Sequence, residues 1–239
     1  PGTMAALPLA WLAYALDRGS TRAFVGASTG VLLCREDLAL SVLLVAGLYG
    51  WRHPGAKKVA VRVGVVTLAY ALFFILYLHP THPPAQGSLQ LHFGRFGGSI
   101  FEVAVYLLSH PLVLIEHLAT PTRILYLPKV LAPLAFLPLL RPRWLVPTLP
   151  ILAITLISEW PTTTDLDVHY LTPALPFLVA GALESSAVAA ERAPRFAVVL
   201  ALSVATLAGH AIAGGSPLSV DFPRAAFVAD RNTAAALAI

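Results

Sequence analysis

The chain has 239 residues, 57% of them hydrophobic and only 12% charged, against about 25% charged in an average soluble domain. A mean hydropathy of +0.76 and Ala/Leu/Val-rich runs without strict alternation exclude an ordinary soluble protein and an outer-membrane barrel, leaving an all-α, polytopic helical membrane protein. The net charge of +4 comes from sixteen basic residues set in short clusters between apolar runs, which is the pattern of membrane topology rather than of a nucleic-acid surface.

The chain opens Pro1-Gly2-Thr3 and enters apolar sequence with no basic stretch before it. It is read as a fragment whose N-terminal portion is missing, not as a signal peptide. A spanning helix needs about 20 apolar residues. Eight membrane segments are expected: 4–16, 23–34, 38–50, 59–78, 124–140, 144–158, 170–189 and 196–213. The first three are 12 or 13 residues long, roughly 20 Å of helix, so they must tilt, borrow flanking residues or be partly re-entrant. Gly26 and Gly30, spaced GxxxG in the second, read as a helix-packing face. Residues 1–213 form one transmembrane domain and 214–239 a tail that leaves the membrane. No internal repeat stands out.

Orientation follows from the loop arginines and lysines. Alternate connections carry Arg18 and Arg22; Arg52, Lys57 and Lys58 with Arg62; Arg141 and Arg143; and Arg192 and Arg195. These loops are expected on the cytoplasmic side. The intervening connections hold Arg35, Arg95 and Arg123, and the stretch 159–169 has no basic residue but Glu159, Asp165 and Asp167. That side is expected to be extracytoplasmic.

The longest stretch outside the eight segments is 79–123. Within it Ser99-Ile100-Phe101-Glu102 reads as a capping box that opens a helix ending at His110, before Pro111. This helix is expected along the extracytoplasmic interface. The alternative, a ninth crossing over 100–118, is opposed by Pro111, Glu102 and Glu116. Six prolines between Pro128 and Pro150 predict kinks in 124–140 and 144–158.

Candidate chemistry lies on the outer side. Arg35-Glu36-Asp37 sits between two apolar runs, where three ionisable side chains belong at the interface or in a wet cavity. Glu36 and Asp37 are candidate catalytic carboxylates with Arg35 as the adjacent cation, and the same residues also suit a plain polar turn closing a helical hairpin. Lys129, with Arg123 before it, suits a lipid phosphate or snorkelling to the headgroups. His169 and Tyr170 suit phosphate or sugar hydroxyls, although Tyr170 equally suits an interfacial anchor. His92 and Arg95 occupy a glycine-rich approach to the capped helix, a ligand-binding loop or a simple tight turn. His79 and His82 have HxxH spacing on a proline-flanked loop rather than a helix, and no metal site is read from them. Glu184 and His210 are intramembrane polar positions with no partner evident in the sequence. The single cysteine, Cys34, provides no disulfide framework or redox motif.

These stretches, taken together, resemble the bacterial membrane family called domain of unknown function 2079, grouped with the GT-C type of membrane glycosyltransferases. The resemblance is carried by Leu33-Cys34-Arg35-Glu36-Asp37, His92-Phe93 through Gly97-Gly98-Ser99, Ser109-His110-Pro111 and Leu137-Pro138-Leu139-Leu140-Arg141-Pro142, followed by Leu149-Pro150 and His169-Tyr170 with Pro173. It spans about residues 4 to 185. It implies a multi-pass protein of the bacterial cytoplasmic membrane that takes a sugar from a polyprenyl-phosphate donor at the extracytoplasmic face. In GT-C enzymes an acidic residue of the first large outer loop serves this chemistry, and that loop would lie upstream of Pro1. The chain taken alone is therefore expected to be inactive.

Three functions fit the sequence. One is a glycosyltransferase using a lipid phosphosugar, with Glu36 and Asp37 catalytic and Arg35, His92, Arg95, Lys129, His169 and Tyr170 binding substrate. The others are a non-catalytic membrane scaffold and a transporter or flippase of a lipid-linked solute. The expected partners are the lipid bilayer and a polyprenyl-phosphate sugar, with no nucleic acid. The sequence leaves the cofactor and the oligomeric state open.

Overall fold

The computed structural model describes residues 2–78, 81, 88–165, 169–213 and 219. Among them every regular element is helical. Four helices come first: α1 (Ala6–Arg18), α2 (Thr21–Cys34), α3 (Ala39–Arg52) and α4 (Lys57–Phe73). They pack as two hairpins, α1 on α2 and α3 on α4. Gly19 ends α1 in the left-handed conformation at φ 70°, and a Cβ there would lie 2.8 Å from the His53 ring, so only glycine fits this corner. Tyr49 of α3 locks the first hairpin. Its ring stacks on Phe24 at 4.1 Å and its hydroxyl donates to the Gly19 carbonyl at 2.8 Å. Gly30 packs against Pro8, whereas Gly26 faces open space, so half of the GxxxG pair serves as a contact.

Then come α5 (Ser88–Phe93), α6 (Ile100–Ser109), α7 (Pro111–Leu118) and α8 (Pro121–Leu131). The expected cap of α6 forms, with Ser99 Oγ accepting from Glu102 N–H at 3.2 Å. Glu102 Oε2 reaches back to Gly98 N–H at 2.9 Å, and the helix stops at His110. One interfacial helix does not describe the region, because Pro111 starts a second helix bent 96° from the first. The last elements are α9 (Pro142–Leu145), α10 (Leu149–Ile157), α11 (Leu175–Arg192) and α12 (Arg195–Ala213). A 3-10 turn at Val146–Thr148 joins α9 and α10 into one apolar rod, Pro142–Ile157.

Among the described residues two helices are long and apolar enough to cross a membrane, Pro54–Leu78 with 25 residues and Arg195–Ile212 with 18, or three if the bent pair 100–118 counts as one span. Eight segments are expected from the sequence, and two or three spans are shown by length. At 13 to 14 residues, α1 to α3 extend about 20 Å against a hydrocarbon core of about 30 Å. The two long helices are scarcely covered by protein. Val61, Val65, Val66, Val199, Val204 and Leu207 are all more than half exposed, an arrangement suited to lipid rather than water.

The segment expected over 124–140 is broken rather than kinked. Helix α8 ends at Leu131, and a 3-10 turn follows at Ala132–Leu134. Ala135 and Phe136 are then left-handed at φ 51° and 56°, before a second 3-10 turn at Leu137–Leu140. Pro133 and Pro138 cannot donate to the helical ladder, and each disfavours helix in the residue before it. Neighbouring helices satisfy the exposed carbonyls, as membrane interiors require. Thr206 Oγ1 donates to Pro133 O at 2.9 Å and Ser185 Oγ to Leu137 O at 2.8 Å.

Candidate functional site

The Pro142–Ile157 rod separates two polar ends by about 20 Å. At its N-terminal end, residues from the loops expected to be cytoplasmic meet. Arg143 lies 3.8 Å from Asp17, Arg52 lies 3.7 Å from the same carboxylate, and Arg141 lies 3.3 Å from Glu184. Glu184, which has no evident partner in the sequence, is also held by Arg143 and by Trp144 Nε1 at 2.6 Å.

The other end is built on the last carbonyls of α10, which have no partner within their own helix. Arg123 at the start of α8 donates from Nε to Leu156 O at 2.7 Å and from Nη2 to Ser158 O at 2.8 Å, with Nη1 on Thr120 Oγ1 at 3.1 Å. The carbonyl of Ile157 accepts from His117 Nε2 at 2.9 Å. His117 reaches it because the bend at Pro111 turns α7 back, and Phe96 packs edge-on against its ring at 5.2 Å.

The His92–Arg95 loop docks on the same turn. His92 Nδ1 lies 2.7 Å from Ser158 Oγ, Glu159 N–H donates to His92 O at 2.8 Å, and Arg95 N–H donates to Glu159 Oε2 at 3.1 Å. Ser158 Oγ also accepts from Trp160 N–H at 3.1 Å, so its hydrogen is available to Nδ1 of a neutral imidazole. Burial pushes the His92 pKa below its ordinary value, which favours that neutral form. Trp160 and Tyr170 flank the ring, with centroids 6.1 and 6.0 Å away.

A cavity of about 370 Å³ opens here, lined by Arg95, Glu116, His117, Thr120, Arg123 and Glu159. Its size is at the small end of ligand pockets. Two guanidiniums beside two carboxylates can hold an anion and hold or release a proton next to it. Among the described residues, no group of three His, Cys, Asp or Glu side chains is placed to hold a metal ion.

The candidate residues named from sequence divide between places. Arg95 lines this cavity, and His92 and Tyr170 stand beside it as a ring pair. The backbone of His169 opens the short 3-10 turn His169–Leu171. Lys129 is exposed on α8, about 9 Å along the helix from Arg123. Arg35, Glu36 and Asp37 form a separate turn between α2 and α3, where Arg35 Nε donates to Asp37 Oδ1 at 2.8 Å and Nη2 bonds Oδ2. Asp37 is therefore engaged by a cation, while Glu36 is exposed at the start of the turn. His79 and His82 lie outside the described residues, as does the tail apart from Ser219. Sequence reasoning missed Glu116, His117 and Thr120 as cavity residues and counted Glu159 only as a loop charge. The available signal was Ser158-Glu159-Trp160 directly after an apolar run, where helix-end carbonyls need donors.

Comparison with curated proteins and with solved structures finds no match. The family model described as predicted membrane protein (DUF2079) matches residues 3–221, nearly the whole chain, and the protein belongs to that membrane-protein family.

Proposed function

We propose that this protein is a multi-pass, GT-C-like membrane protein of the bacterial cytoplasmic membrane that handles a polyprenyl-phosphate-linked sugar at its extracytoplasmic face. The observation that carries this reading is the cavity of Arg95, Arg123, His117, Glu116 and Glu159, at the opposite end of the rod from the arginine cluster that the positive-inside rule assigns to the cytoplasm. In this reading α1 to α4, α8 with its broken turn, the α9–α10 rod, α11 and α12 are the eight membrane segments, the short ones tilted or in a thinned bilayer.

The arginines hold the lipid phosphate, with Lys129, His169 and Tyr170 toward its headgroup side. In transfer, the acceptor oxygen bonds to the anomeric carbon as the bond from that carbon to the phosphate oxygen breaks. Polyprenyl phosphate departs, and a carboxylate takes the acceptor proton. Glu36 and Asp37 remain the proposed catalytic pair, with Arg35 orienting Asp37. Glu159, already inside the polar cavity, is the further carboxylate to test.

A non-catalytic scaffold is the second reading, favoured by the use of Arg123 and His117 to close the end of α10. Retention of polyprenyl phosphate by the purified chain, followed by native mass spectrometry, separates the two. Specific retention over polyprenol, reduced about tenfold by Arg95→Gln, supports the first. Equal retention of the alcohol and the phosphate supports the scaffold.

A further inference from the structure

The N-terminal end of the rod also holds a cavity, of about 430 Å³, lined by Leu16, Leu48, Trp51, Leu140 and Pro142 together with Arg52, Arg141, Arg143 and Glu184. Its charges do not cancel. Three guanidiniums face two carboxylates, Glu184 and the neighbouring Asp17. Both oxygens of Glu184 are already engaged, Oε1 by Arg141 and Oε2 by Arg143 and Trp144, and this fixes two arginines along one wall. Arg143 Nε is buried without an acceptor. The Arg52 pair with Asp17 is long, at 3.7 Å, and Arg141 meets Glu184 through Nε at 3.3 Å, so both retain capacity to bind an anion.

The apolar part of the lining opens sideways. Trp51 is 78% exposed and Leu140 66% exposed. A soluble anion would gain nothing from such a rim, whereas a lipid places its phosphate against the arginines and its chains along the tryptophan and leucine. We propose that this cavity binds the headgroup of an anionic phospholipid, with Arg52 and Arg141 as the phosphate ligands and Trp51 at the level of the glycerol. The site is distinct from the outer cavity and does not depend on any sugar transfer there.

The test uses the chain with Trp11→Phe and Trp160→Phe, reconstituted in vesicles of brominated phosphatidylglycerol or brominated phosphatidylcholine diluted into unbrominated phosphatidylcholine. Fluorescence then reports Trp51 and Trp144, both beside the site. Quenching should reach half its maximum at an about tenfold lower mole fraction of phosphatidylglycerol than of phosphatidylcholine. Arg52→Gln with Arg141→Gln should abolish that preference, and Arg192→Gln with Arg195→Gln, which remove the same charge outside the cavity, should leave it. Arg52→Gln alone, whose ion pair is long, is the variant to use if the double one does not fold, and it should weaken the preference severalfold. Equal quenching by the two lipids, equal loss in both double variants, or displacement of the lipid by millimolar inorganic phosphate would overturn the assignment.

Discussion

His92 and Arg123 illustrate how single side chains hold the outer end together. Because burial lowers the His92 pKa, the unfolded chain takes up a proton first as pH falls. The stabilisation is fully present above the ordinary histidine value of about 6.5 and is lost as pH falls from there toward the depressed native value. Melting temperature in detergent should therefore drop on acidification from about pH 7.5 to about pH 5.5, and the drop should be shallower in His92→Gln. An identical acid slope in the variant would show that His92 contributes nothing. Arg123 acts through geometry, since two of its donors close the end of α10 and a third binds Thr120 Oγ1. Arg123→Gln should cost about 2 kcal/mol, a fall in melting temperature of about 4–8 °C for a chain of this size. Lys129→Gln, altering an exposed side chain on the same helix, should change it by no more than about 2 °C.

Among elements, the contact of α12 with the broken turn after α8 is the one that proline chemistry creates. Gly209 faces Pro133 so closely that a Cβ would lie 2.5 Å from Cγ and 2.9 Å from Cβ of the proline, and a rigid ring has little room to move. Gly209→Ala should cost about 1–3 kcal/mol through overpacking and make α12 more susceptible to proteolysis. At Gly26 an added Cβ meets nothing within 4 Å, so Gly26→Ala should be neutral or stabilising by up to about 1 kcal/mol. Equal effects at the two sites in a thermal-shift comparison would refute the docking of α12 on this turn. The same elements show where sequence periodicity fails. Apart from Lys129 and three prolines, 124–140 is apolar throughout, yet the helix breaks, with Ala135 and Phe136 left-handed. The carbonyls left open by that break are satisfied by Thr206 and Ser185, about 50 to 70 residues further along.

Across the whole molecule, the proposed orientation puts the two polar ends on opposite sides of the membrane. Cysteines introduced as Gly55→Cys and Thr164→Cys, in a chain whose Cys34 is replaced, should react with a membrane-impermeant maleimide from opposite sides of sealed vesicles. Labelling from the same side would eliminate the proposed orientation and with it the extracytoplasmic assignment of the Arg95–Glu159 cavity. Arg52 of α3 and Arg141 and Arg143 at the start of α9 share two carboxylates at one end, whereas the other end mixes both signs around a cavity.

Composition and apolar run length pointed to the helical membrane character, because a chain 57% hydrophobic and 12% charged with its apolar residues gathered in runs supplies few polar side chains to cover those runs in water. Local chemistry was equally legible at Ser99, whose hydroxyl, with Glu102 three residues on, can satisfy only the nearby donors of α6. Which helices are long enough to span, and which residues share a cavity, depended on contacts between distant parts of the chain. Glu184 looked unpartnered until α11 packed beside α9. Likewise, Glu159, His117 and Arg123 became one site only because the bend at Pro111 and the end of α10 bring unsatisfied carbonyls and their donors together. Proximity in sequence carries no information about such pairings, since their geometry is set by the packing of helices and not by any local period.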